Sequence, residues 1–321
     1  MRRLLALLLL LPGLAAAQAP EPPARPARGP IRLIVPFPTG GAADGTARIL
    51  APALAASLGT PVQVENRPGG RGIAGAEAVA RAAPDGRTLG LSVAAWPEAA
   101  PAAERPPREG GPALTRVALV AETPTVLLVP AGSRFQAMEV YLRAGRSWMR
   151  GLTFGSPAAG SLPHLQGEML ARAAEARLVH VAYRGTAAGL QDLANGQVDS
   201  LMAPLASAMP ALLAGEVRAL AVSGPAPDSR LPGVPSFASL GYPQLTATLR
   251  MWISAPPDLP PALLARLRGG AERAMAGPAV ERQLLLAGLT PPARPREEPS
   301  DPRLVAELGE ASRPQAGPQA N

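Results

Sequence analysis

Two short stretches hold the residue types whose spacing could do chemistry. The first, PTGGAAD at Pro38–Asp44, sets an acid three positions after a pair of adjacent glycines, Gly40 and Gly41. The second, GSPAAGSLPH at Gly155–His164, offers Ser156, Ser161 and His164 within one loop of small residues. Small residues let backbone N–H groups approach a ligand closely, and a helix starting just beyond adds partial positive charge. Such a loop can hold a carboxylate or a phosphate without an arginine. Asp44 and His164 each have two readings. Asp44 either caps free N–H groups at the start of a helix or faces an amino or amide group of a ligand. His164 either caps its own helix or touches the ligand.

Other chemistries fit less well. A Walker loop needs a lysine, and the chain has none; GGAADG lacks the G-x-G-x-x-G spacing of a dinucleotide loop. A serine hydrolase would use Ser156 or Ser161 with His164, and Asp199 could orient the base, but no G-x-S-x-G elbow is present. A serine in a glycine-rich loop is more often a hydrogen-bond donor or a cap. The only histidines, His164 and His180, are far apart in sequence, and there is no cysteine, so neither a metal nor a cofactor is expected. His180 alternates with apolar residues and reads as structural. The expectation is a binding protein, not an enzyme.

The elements that must position these loops follow from periodicity. IRLIVPF is a short β-rich run; Ala47, Leu50, Leu54 and Leu58 then recur at helical spacing, closed by Gly59 and Pro61. PVQVEN predicts a strand, Ile73–Ala83 a helix and TLGLSV a third strand. This β-α-β-α-β order means a parallel sheet with helices on its faces. RVALVA and TVLLVP read as two further strands. LTFGSP opens a second unit of similar design: a helix presenting Leu162, Leu165, Met169 and Leu170, the strand RLVHVAY, a helix at Thr186–Ala194, the strand QVDSLMA, a helix at Ala208–Ala214 and the strand VRALAVSG. A last helix is predicted at Ala262–Ala276. Ligands bind at the C-terminal ends of such strands, where both glycine-rich loops fall. Tyr183-Arg184-Gly185-Thr186 is a third loop end there.

Composition bounds the rest. The chain has 321 residues and a formal charge of +7, carried by arginines spread singly without interleaved aromatics, which argues against nucleic acid. Arg2, Arg3, the run Leu4–Leu11 and Ala15-Ala16-Ala17 predict a signal peptide over 1–17, cut before Gln18, and hence an exported protein. A Pro-rich linker is expected over 18–30 and a poorly ordered tail over 301–321.

Several of these segments together resemble the Bug proteins, the TctC-like periplasmic solute-binding proteins of tripartite tricarboxylate transporters. The resemblance rests on IRLIVPFPTGGAADGTARILAPALAASLGTPVQVENRPGGRGIAGAEAVARAAPDGRTL, FGSPAAGSLPHLQGEML, VHVAYRGTAAGLQDLANGQVDSLMAPLASAMPALLAGEVRALAVSG and LPGVPSFASLGYP, in order over roughly Ile31 to Leu289. It implies an α/β, two-lobed, type II-like Venus-flytrap fold with the ligand cleft between the lobes. Lobe one would be 31–130 plus 225–300, and lobe two 131–224. It implies a small carboxylate as ligand and transient contact of a monomer with a membrane permease. A sensor role and the serine hydrolase are the alternatives. Carried over residue by residue, the ligand contacts would be Thr39, Gly40, Gly41, Ala42 and Asp44 in loop one. Loop two would supply Ser156, Ala159, Gly160, Ser161 and His164, and Ser92 and Ala94 would come from the end of the third strand. After Q-V-D the family often has Asp or Asn facing the cleft; Ala203 and Pro204 stand there. The family's D-F-x-P-V stretch is replaced by GGPALTRVALVA, and its last helix is poorly matched.

Overall fold

The computed structural model describes residues 29–94 and 113–292. The expected signal peptide, all but the end of the linker, the irregular stretch Trp96–Pro112 and the C-terminal tail lie outside the described residues. Lobe one is built on the parallel strands β1 (Ile31–Val35), β2 (Val62–Asn66) and β3 (Thr88–Ala94), in the order β2-β1-β3. Helix α1 (Ala42–Leu58) buries Ala47, Leu50, Leu54 and Leu58 against them, as the spacing predicts. Gly59, at φ +64°, closes it by donating to Ala55 O. Helix α2 (Ile73–Ala80) stops short of the predicted Ala83. Ala83 precedes Pro84, and a residue before proline is driven out of helical conformation.

The two expected strands RVALVA and TVLLVP are one, β4 (Thr115–Pro130). Its first part pairs antiparallel with β9 (Thr248–Ala255) as far as Pro124–Thr248, and β9 pairs antiparallel with β3. From Thr125 onward β4 pairs with β7 (Ser200–Pro204) and β8 (Val217–Val222). Pro124 therefore sits where the strand changes partners. A proline has no N–H to give a ladder, so it is tolerated at such a switch and does not break the strand.

Lobe two continues from β4 with α3 (Met138–Ser147), β5 (Leu152–Ser156), α4 (Leu162–Ala173), β6 (Leu178–Ala182) and α5 (Thr186–Ala194), then β7, α6 (Leu205–Leu213) and β8. Strands β5, β6 and β7 are parallel. Helix α6 begins three residues before the predicted Ala208, because Pro204 supplies an extended N-cap at φ −60°. Apolar clusters cover both faces of this sheet, one around Tyr141, Leu165 and Leu170, the other around Val126, Leu193 and Leu205.

The expected return to lobe one at residue 225 is displaced. Leu231, Phe237 and Leu245 pack into the lobe-two clusters, so the chain goes back only at β9. Helices α7 (Pro261–Met275) and α8 (Pro278–Leu286) then join the lobe-one core. Buried hydroxyls and amides stitch the crossing. Ser223 Oγ accepts from Thr125 N–H at 2.8 Å and donates to Ala247 O at 2.6 Å. Gln166 Nε2 donates to Leu245 O at 2.8 Å, and Thr125 Oγ1 donates to Gln166 Oε1. Thr290 exchanges two backbone hydrogen bonds with Glu122 of β4.

Candidate functional site

Loop one leaves β1 and turns at Gly40, whose φ of +80° suits glycine. Gly41 is the N-cap of α1 and has no side chain to cap with. Asp44, in the first turn, points into the fold and is 4% exposed. Its Oδ2 accepts from Gly40 N–H and from Arg48 Nε, both at 3.0 Å. Its Oδ1 accepts from Asn66 Nδ2, also at 3.0 Å. Burial pushes this carboxyl upward, but the hydrogen bonds from Arg48, Gly40 and Asn66 outweigh it and hold the group below its ordinary value. Asp44 thus braces Gly40, one residue before the Gly41 N-cap, and does not take up the free helix N–H groups that the capping reading assigned to it. Asn66, the last residue of β2, also donates to Phe37 O at 3.1 Å and so clamps the loop at two points.

With Asp44 spent on Gly40, the N–H groups of Gly41 and Ala43 have no acceptor among the described residues. The neighbouring Ala42 N–H donates to Ser207 Oγ of lobe two at 3.0 Å. Loop one therefore presents donors at a helix start, the arrangement that attracts an anion.

Loop two repeats the device with different chemistry. Gly160, at φ +75°, donates its N–H to Nδ1 of His164 at 2.9 Å. Glycine and brace are four residues apart, as in Gly40 and Asp44. Ser161 is the N-cap: its Oγ accepts from His164 N–H at 3.4 Å and donates to Ala158 O at 2.7 Å. Leu162 N–H has no acceptor among the described residues. The bond from Gly160 makes Nδ1 an acceptor, which leaves the His164 proton on Nε2, 3.8 Å from Glu168. Burial lowers the His164 pKa, and Glu168 partly offsets this.

The two histidines, distant in sequence, meet: their rings stack at 3.9 Å between centroids. Strand register sets Phe154 beside His180, and α4 lays His164 over that strand. His180 Nε2 lies 2.8 Å from Ser156 Oγ. Burial, and then the neighbouring His164, push His180 down to about 4, so it is neutral at pH 7. Its structural reading stands. The hydrolase arrangement is not formed: Ser156 meets His180 instead of His164 and is sealed from solvent, and Ser161 is engaged as a cap. Among the described residues no three His, Cys, Asp or Glu side chains cluster as a metal site.

A pH dependence follows. An imidazole depressed from about 6.5 is protonated more readily in the unfolded chain, so the stability it confers is full above about pH 6.5 and falls as pH drops toward about 4. Thermal melts of His180→Asn between pH 7 and 4 are expected to show a flatter decline than the wild type. Parallel declines would show that His180 is not the group responsible.

The remaining candidates divide. Ser92 is half-buried and shares a short hydroxyl–hydroxyl hydrogen bond with Ser254 of β9. Ala94 ends β3 opposite Arg250. Thr39 and Ala159 lie in their loops as expected. Ala203 is fully buried in the apolar cluster with Val126 and Leu201 and is not brought to the loops. Arg184 is exposed at the end of β6, where Tyr183 N–H and Gly185 N–H tie its loop to Ser156 O and Pro157 O. A groove of about 480 Å³ between α1 and β2, lined by Arg48, Ala51, Pro52, Pro61 and Val62, includes neither glycine-rich loop. Sequence reading missed Asn66 and Ser207; the one available signal was a polar residue ending the PVQVEN strand.

Two lobes joined by a shared strand, with a braced N–H loop in each, define a solute-binding protein. The chain belongs to the tripartite tricarboxylate transporter family receptors (TctC), whose model matches residues 46–301. It is 32% identical to protein BugT of Bordetella pertussis, over 91% of this chain and 90% of that one. It is 35% identical to a protein of Pseudomonas sp. strain P51 encoded between tcbD and tcbE, over 90% of this chain and 86% of the relative. Among solved structures it superposes on MatC of Rhodopseudomonas palustris with bound malate at TM-score 0.73, with 28% identity, covering 88% of this chain and 96% of MatC. An R. palustris protein with adipate gives TM-score 0.76 and 27% identity, covering 88% of this chain and 94% of that one. No helix among the described residues is long and apolar enough to cross a membrane.

Proposed function

We propose that this protein is a periplasmic receptor that holds a small organic carboxylate between loops Thr39–Asp44 and Ser156–His164 and passes it to a membrane permease. The observation that carries this reading is the pair of braced loops. Each uses a positive-φ glycine tied to a side chain four residues on, which leaves helix-start N–H groups for an anion. Malate and adipate in the two R. palustris relatives support an acid with two carboxylates. Asp44's oxygens are already engaged by Gly40, Asn66 and Arg48, so loop one has no anion left for an ammonium, which favours acids without an amino group.

No bond is made or broken. A ligand that touches both lobes only when they are closed shifts the protein to the closed form, and a permease reads that form. Closure would bend the chain at Thr123–Thr125 of β4 and at Ala247–Thr248. A thermal-shift screen of dicarboxylates, tricarboxylates, aromatic acids and amino acids tests this. A hundredfold excess over Kd adds about 2.7 kcal/mol of stability. Dicarboxylates are expected to shift the melt and amino acids are not. The reading fails if no carboxylate shifts it.

A further inference from the structure

Ser207 stands in the first turn of α6, two residues after the helix begins. That turn is anchored at the crossing between the lobes. Ala206 N–H donates to Thr123 Oγ1 at 3.1 Å, and Thr123 Oγ1 donates to Gly288 O at 2.9 Å. From this fixed position Ser207 accepts from Ala42 N–H of the other lobe at 3.0 Å, over a separation of 165 residues. Ala42 is the first residue of α1, between Gly41 and Ala43, whose N–H groups have no acceptor among the described residues.

A serine hydroxyl accepts and donates at once. A serine within a helix often gives its proton to the carbonyl four residues back. Ser207 does not: its O–H has no acceptor among the described residues, and the side chain is only half-buried. Ala203 and Pro204, just before α6, offer no polar side chain to the cleft, and Ala203 is sealed in apolar packing.

We propose that Ser207 is a ligand-binding residue contributed by lobe two to loop one. The Ala42 N–H orients its oxygen, and its proton goes to a carboxylate oxygen seated on the N–H groups of Gly41 and Ala43. Every group converging there is then a donor, so this end of the site takes an anionic acceptor and discriminates against an ammonium. The hydroxyl also gives lobe two a hold on a ligand bound to lobe one, at the point nearest the crossing. The inference rests on the receptor reading above.

The test is calorimetric titration of malate and adipate into the wild type, Ser207→Ala and Ser207→Thr, with melting temperatures of all three without ligand. One lost hydrogen bond to a charged group corresponds to about tenfold or more in affinity. The alanine variant is expected to bind the tighter acid at least about tenfold more weakly, the threonine variant within about threefold of the wild type, and the unliganded alanine variant to melt only about 2–4 °C lower, the cost of the one hydrogen bond from Ala42. Ser207→Ala binding within twofold of the wild type, or tighter, overturns the proposal. So does an affinity loss accompanied by an unliganded melting temperature lowered by more than about twice that amount, because the hydroxyl would then be mainly an interlobe strut. If the wild type binds neither acid nor any other carboxylate of the screen, the receptor reading fails instead.

Discussion

Gly167→Ala is expected to destabilise the protein by about 2 kcal/mol. A methyl group at this position of α4 would lie 2.1 Å from Phe154 Cε2 and 2.6 Å from Cζ, far inside van der Waals contact. Alanine for glycine in a helix is worth about 1 kcal/mol in propensity. Overpacking a filled core costs about 3 kcal/mol, so the clash wins. Phe154 cannot swing into solvent, being 1% exposed in the middle of β5. Its ring lies 5.0 Å from that of His180, which holds Ser156, so the strain runs toward loop two. A fall of roughly 4–8 °C in melting temperature is expected for a chain of this size. Adding Phe154→Leu should recover part of it by making room for the methyl. A single variant that melts within a degree of the wild type would show that the helix shifts freely on the sheet.

Asp44→Ala is expected to cost about 1–2 kcal/mol and to weaken carboxylate binding. The substitution strips the acceptor from Gly40 N–H and from the Asn66 amide; Gly40 is exposed and Asn66 half-buried and still bonded to Phe37 O, so the cost is that of ordinary hydrogen bonds, about 0.5–1 kcal/mol each. The loss of Arg48 as a partner adds little, because that side chain is about half exposed. Gly40 would then no longer be held at φ +80°, and the donors of Gly41 and Ala43 would lose their preset direction. Asp44→Asn keeps one acceptor oxygen and should lose less. The carboxyl is held below its ordinary value of 3.8, so its contribution is fully present above that pH and disappears as pH falls through the lower folded value. Denaturant melts at pH 7 and at pH 3 measure both: the gap between wild type and Asp44→Ala should narrow at the lower pH. Equal stability of the two proteins at pH 7 would remove Asp44 as the brace.

Short-range chemistry was legible in the sequence. Helix α1 shows its buried face as a three–four spacing and its end as Gly59. Helix α5 falls on the predicted Thr186–Ala194, because a glycine before it and an apolar stripe within it are both local signals. Helix α3 carries a clear apolar side, Met138, Tyr141, Leu142 and Gly145, but its ends lack local signals: Ala137 offers no capping side chain, and Trp148 follows the last turn in place of a glycine or proline. β4 was split because Pro124 reads locally as a stop, and only its change of partners explains why the strand continues.

By itself, then, the sequence determined two βα units, the two glycine-rich loops at their strand ends and the receptor family. Each of these depends on residues within a few positions of one another, or on a pattern carried along the whole chain. The tertiary structure alone decided what the side chains of those loops do. It turned Asp44 inward onto Gly40 and Asn66, stacked His164 on His180, sealed Ala203 and set Ser207 against Ala42. These meetings depend on strand register and helix placement, which are settled by packing across the whole core, and no local pattern of residues records them.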